Sequence, residues 1–127
     1  MSNRAVISTQ HAPDAIGPYS QAVKSGNTVW LSGQIPLVPE TMELVEGDVT
    51  AQAKQVFANL QAVAEAAGGS LNDAVKINIS LVDLADFAAV NEVMAAMLEE
   101  PYPARACVQV AALPKGAAIE VEAILCL

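Results

Sequence analysis

Tyr19, Arg105, Cys107 and Glu120 are the residues whose side chains could do chemistry on a small molecule. Arg105 follows a bend marked by Pro101 and Pro103 and opens a predicted strand. Its guanidinium is a rigid fork of donors that matches a carboxylate through two hydrogen bonds. The plainer reading is a surface or intersubunit ion pair. Cys107 stands two residues on, so it shares a strand face with Arg105. A cysteine nucleophile needs a base, and the single histidine, His11, is remote in sequence. A small buried hydrophobe is therefore the favoured reading of Cys107. Glu120 and Glu122 also share a strand face, as a general acid/base pair or as a solvated surface. Tyr19 lies in the turn-forming run Ile16-Gly17-Pro18-Tyr19-Ser20. That turn presents a phenol to a site, or it packs the ring under a loop.

Composition narrows the classes of function. The net charge is −8, and the basic residues Arg4, Lys24, Lys54, Lys76, Arg105 and Lys115 are scattered. A phosphate backbone finds no basic cluster here, so nucleic acid is not an expected partner. Cys107 and Cys126 are the only cysteines, and the first residues lack the apolar core of a signal peptide. Free thiols in a reducing compartment, and a cytoplasmic location, are expected. No apolar run reaches the length of a membrane span. The ligand spacings of common metal sites are missing, so no metal site is expected.

The elements that must position these residues follow from periodicity. Residues 4–8, 21–25 and 28–32 read as strands, with Gly26-Asn27 as a hairpin turn and Gly33 and Pro36 as breaks. Val49, Ala53, Val56, Phe57, Leu60, Val63, Ala64 and Ala67 form one helical stripe, with Asp48 as N-cap and Gly68-Gly69 as the stop. Residues 74–82 alternate as a strand, with Lys76, Asn78 and Ser80 on the polar face. Residues 84–99 read as a second helix with Phe87, Val90, Met94, Met97 and Leu98 as its stripe. Strands 104–113 and 118–127 follow, separated by residues 114–117. The chain of 127 residues is read as one α/β domain with both helices on one face of a mixed sheet. Apolar residues make up 54% of it, above the usual ~45–50%. A second sheet face, uncovered by helices, then needs water or another subunit against it.

The last two strands pose a distance problem. A tight hairpin about residues 114–117 would pair Ala111 with Glu120. Arg105 would then lie ~20 Å from Glu120 along the sheet. Either the strands do not form that hairpin, or a site using both residues draws them from different chains.

Two long signatures stand together in the chain. One runs from Ala12-Pro13-Asp14-Ala15 through Ile16-Gly17-Pro18-Tyr19-Ser20-Gln21-Ala22, with Ser32-Gly33-Gln34-Ile35-Pro36 after it. The other runs from Pro103-Ala104-Arg105-Ala106-Cys107 to Ile119-Glu120-Val121-Glu122-Ala123. Both resemble the signatures of the Rid family of reactive-intermediate deaminases, also called YjgF, and the likeness spans essentially the whole chain. The resemblance implies a chorismate-mutase-like α/β fold, a homotrimer with its sites in clefts between subunits, and a last strand inserted beside earlier ones. It implies hydrolysis of 2-imino acids and enamines (2-iminobutanoate, 2-iminopropanoate) to 2-keto acids and ammonia, with no cofactor. By the same resemblance Arg105 clamps the substrate carboxylate and Glu120 handles the attacking water. Tyr19 meets the substrate or its leaving nitrogen, Ser32 and Gly33 border the substrate, and Cys107 lines the site. A non-enzymatic protein that binds small keto or amino acids is the alternative. A ribonuclease-like inhibitor of translation is a weaker third, given the charge. The chain departs from the pattern in a segment before Arg105 about three residues short, and in Met94, Met97 and Leu98 where aromatic residues are common.

Overall fold

A computed structural model of the protein describes residues 4–127. The strands are β1 (Arg4–Ile7), β2 (Ala22–Ser25), β3 (Thr28–Gln34), β4 (Ala74–Leu81), β5 (Ala104–Gln109) and β6 (Ile119–Cys126). The helices are α1 (Val49–Ala66) and α2 (Phe87–Met97), with short 3-10 turns at Leu71–Asp73, Leu84–Asp86 and Pro114–Gly116.

Helix α1 begins where its sequence says it should. The Asp48 carboxylate accepts a hydrogen bond from the Ala51 amide at 3.1 Å. Gly68 then takes φ +94°, and the Gly69 amide closes on the Ala64 carbonyl at 3.0 Å. Its stripe of Ala53, Val56, Phe57, Leu60 and Val63 is fully buried. Burying Phe57 or Leu60 contributes about 1.5–3 kcal/mol each.

The strands form a single mixed sheet in the order β1-β2-β3-β6-β4-β5. The last strand is central, antiparallel to both β3 and β4. Ile119, Val121 and Leu125 are wholly buried and join the helices in one core. A strand with such a face is most stable with neighbours on both sides. β5 instead runs parallel to β4 at the sheet edge and is mostly exposed. Parallel neighbours need a crossover, and α2 supplies it. No β5–β6 hairpin exists, and β5 stops at Gln109 rather than at 113.

Gly33 does not end β3 but sits inside it, in a bulge. Between Leu31, opposite Ala123, and Gln34, opposite Val121, β3 carries one residue more than β6. The extra residue turns Gln34 into the core. The face away from the helices carries an aligned row, Val6, Val23, Trp30 and Ile124, across four strands. Val6 and Trp30 stay 69% and 47% exposed, so part of the apolar surplus lies on this uncovered surface.

Candidate active site

Arg105 lies opposite Ile77 on β4, which lies opposite Ala123 on β6. Ile77 is buried in the core, so Arg105 belongs to the helix side of the sheet. There α2 crosses it. Arg105 Nη1 donates to the Asn91 side-chain oxygen at 2.6 Å and lies 3.7 Å from the Met94 sulfur. The guanidinium carbon stands 5.1 Å from the centroid of the Phe87 ring. Phe87, Asn91 and Met94 are spaced i, i+4, i+7, one face of the helix. A cleft of about 430 Å³ opens beside them, lined by Asn91, Met94, Ala95, Tyr102, Pro103 and Arg105.

Cys107 follows on the same side, opposite Ile79 and packed against the core. Burial pushes its thiol above the ordinary value, and the nearby Arg105 charge offsets this only in part. A thiol held protonated is a poor nucleophile.

Glu120 lies opposite Ser80, on the other face of the sheet. Burial raises its carboxyl pKa above the usual value, and the neighbouring Glu122 charge raises it further. Glu122 itself accepts a hydrogen bond from the Asn78 amide at 3.1 Å. Glu120 is packed against Gly33, where a Cβ would come within 3.0 Å of its carboxyl carbon. A second cleft of about 310 Å³ is lined by both, with Asp14, Ile16, Tyr19 and Lys115 among its other walls.

The Tyr19 loop is pinned to this cleft by groups that periodicity does not reveal. The Ser32 hydroxyl donates to the Ser20 carbonyl at 2.5 Å, and the Ser32 amide donates to the Gln21 carbonyl at 3.0 Å. Gln21 is buried, and its side-chain amide donates to the carbonyls of Thr9, Ala12 and Pro13. Its oxygen accepts from the Thr9 amide at 2.7 Å. Gln52 accepts from the Ala118 amide at 2.9 Å and so fixes the entry to β6. Glutamines buried under a loop have no sequence signature beyond membership of the first motif. Asn91 likewise gave no signal, because its value depends on what α2 crosses.

The residues thus fall into two groups. Tyr19, Gly33 and Glu120 line one cleft, and Ser32 braces its wall. Arg105 lines the other, with Cys107 behind it on the same sheet side. Within one chain the backbones of Arg105 and Glu120 stand ~14 Å apart, two strands over and three residues along, with side chains on opposite faces. Of the residues that depart from the sequence pattern, Met94 lines the Arg105 cleft. Leu98 is buried in the core, and Met97 is 39% exposed and outside the cleft lining.

The sheet, the crossover helix and the two clefts define an α/β protein with Arg105 in one cleft and Glu120 in the other. Residues 9–126 match the family described as Endoribonuclease L-PSP. The chain belongs to that family, the Rid or YjgF family. It is 50% identical over 125 residues to a 2-iminobutanoate/2-iminopropanoate deaminase of Dermatophagoides farinae, covering 98% of each chain. Other relatives carry the RutC family name. Among solved structures, RidA from an Antarctic Psychrobacter is 64% identical with a TM-score of 0.94, over 97% of this chain and 99% of that one. Escherichia coli TdcF with bound serine is 44% identical with a TM-score of 0.91, over 97% and 98%.

Proposed function

We propose that this chain hydrolyses reactive 2-imino acids, 2-iminobutanoate and 2-iminopropanoate among them, to 2-keto acids and ammonia. The observation that carries the reading is the Arg105 cleft: an exposed cation whose described contacts are all neutral, ready for a carboxylate. The names of relatives at about half identity agree with it.

In this reading the substrate carboxylate binds the Arg105 fork, and its protonated C=N carbon is already electrophilic. Glu120 accepts a proton as water adds to that carbon. Glu120 hands that proton to the adduct's nitrogen, the C–N bond breaks to release ammonia, and the adduct's hydroxyl proton passes to the Glu120 carboxylate as the carbonyl of the keto acid forms. Water is the only co-reactant, so positioning and one proton relay suffice without a cofactor. Tyr19 and Gly33 bound the substrate from the Glu120 side, and Ser32 holds that wall.

Both clefts serve one substrate when copies of the chain bring them together. A homotrimer with each site between neighbours meets that need. The exposed Val6–Trp30 side of the sheet is a surface for such contact. A second reading, binding of a small amino or keto acid without turnover, is favoured by the serine held in the TdcF structure. No helix among the described residues is long and apolar enough to cross a membrane.

The test measures keto-acid release from enamines generated in place by a threonine or serine dehydratase. Acceleration by the wild type, lost in Arg105→Ala, is the expected result. No acceleration by the folded wild type rejects the deaminase and leaves the binding protein.

A further inference from the structure

The partners of Arg105 differ from those of an ordinary surface arginine. The helix above it carries Glu92 and is preceded by Asp86 at its N-cap, yet the residue that reaches the guanidinium is the amide Asn91. Below the guanidinium lies the Phe87 ring, and beside it the Met94 thioether. Each holds the cation in place, and none neutralises it. The hydrogen bond to the Asn91 oxygen at 2.6 Å fixes Nη1, while Nε and Nη2 take no part in the hydrogen bonds to Asn91 and Met94. Asn91 itself lines the cleft.

We propose that Asn91 is a positioning residue whose neutrality is functional: it orients Arg105 for an incoming carboxylate without competing for its charge. This rests on the assignment of Arg105 as the carboxylate anchor. A carboxylate in place of Asn91 would keep the hydrogen bond to Nη1. It would also form a bidentate pair with the guanidinium and fill the place of the substrate. An alanine would free the side chain but leave the positive charge unopposed.

The two variants separate this role from a structural one. Asn91 is exposed, so neither substitution buries a charge or opens a core cavity. If Asn91 merely stabilised the fold, Asn91→Asp would bind ligand at least as well as Asn91→Ala, because it keeps the bond. The proposal predicts the reverse order. KM for 2-iminobutanoate rises about ten-fold or more in Asn91→Asp and about three-fold in Asn91→Ala, with kcat within about two-fold of wild type in both.

Calorimetric binding of 2-ketobutanoate to the intact protein supplies the second readout. Its Kd should follow the same order, whether or not the wild type turns over imines. Wild type that binds the keto acid without turnover would refute the deaminase while leaving Asn91 to be judged on Kd alone. Equal affinities in wild type and Asn91→Asp overturn the proposal, as does an Asn91→Ala defect larger than that of Asn91→Asp. Wild type that neither turns over imines nor binds 2-ketobutanoate overturns both readings.

Discussion

The Glu120 carboxyl rests on Gly33. A Cβ at that position would stand 3.0 Å from the carboxyl carbon, 3.1 Å from Oε1 and 3.2 Å from Cγ. The bulge in β3 places Gly33 between the Leu31–Ala123 and Gln34–Val121 pairs, and the Glu120 side chain reaches its bare backbone. Gly33 is needed for closeness, not for an unusual φ. Gly33→Ala should therefore fold normally, because its backbone lies outside the left-handed region, yet push Glu120 off its position. Imine hydrolysis should fall about ten-fold or more, since small misplacements of catalytic groups are costly. Steady-state kinetics beside thermal melting would check this, and full activity in the variant would remove Glu120 from its assigned place.

The acidic pair sets the pH response. A base works ionised, so activity should rise with pH through the elevated pKa of Glu120 and level off above it. Burial is the larger cause of that elevation and Glu122 the smaller. Glu122→Gln removes the like charge, which favours ionisation of Glu120 and moves the acidic limb of the profile to lower pH. Stability runs the other way. A carboxyl whose folded pKa is raised binds protons more readily in the folded state. Its favourable contribution is present below the unfolded pKa and is lost as pH rises through the folded one. Glu120→Gln should then melt higher than wild type at neutral pH, with the difference vanishing in acid. An acidic limb that does not move in Glu122→Gln would assign the profile to another group.

Cys107 stands behind Arg105 on the same side of the sheet, packed against the core, and lines neither cleft. Its raised pKa leaves little thiolate at neutral pH. Cys107→Ala should keep kcat within about three-fold of wild type and cost about 1 kcal/mol of stability from lost packing. Kinetics and chemical denaturation measure the two. A loss of a thousand-fold would instead identify a nucleophile.

Helix α1 was legible in full because its signals are local: a capping aspartate, a stripe and a glycine stop. The strand set was legible too, but the place of β6 was not derivable from periodicity. Pairing across a sheet is set by which strands best bury both edges, and that is a long-range matter. The hairpin geometry failed for this reason, while the resemblance placed the strand correctly beside earlier ones. Arg105 and Glu120 stood out as charged groups on strands. Asn91 and Gln21 did not, because a neutral amide acquires its role only from the backbone or cation it meets after folding.

Gln21 illustrates what such a residue is worth. Its side chain satisfies three carbonyls and one amide of the loop that leads to Tyr19. Gln21→Ala leaves the Ala12 and Pro13 carbonyls without that partner, at a cost of about 1–3 kcal/mol. The loop should also become a site of proteolysis, and KM should rise as the Tyr19 wall loosens. Limited proteolysis with mapping of the cut, alongside melting, would show whether the damage is confined to residues 9–20. A cut elsewhere would separate Gln21 from the loop.

The opposite placement of Arg105 and Glu120 gives the sharpest test of a shared site. Arg105→Ala and Glu120→Ala chains should each be inactive alone. Mixed by unfolding and refolding together, each kind supplies what the other lacks. In a ring where every site takes Arg105 from one chain and Glu120 from the next, a site is intact only when the first chain carries the Glu120 change and the next the Arg105 change. In an equal random mixture that happens for about a quarter of the sites. Activity should therefore recover to about a quarter of wild type. If both residues came from one chain, every site would keep a defect and nothing would return. Persistent inactivity in a mixture shown to contain both chains in one assembly would thus exclude a site divided between subunits.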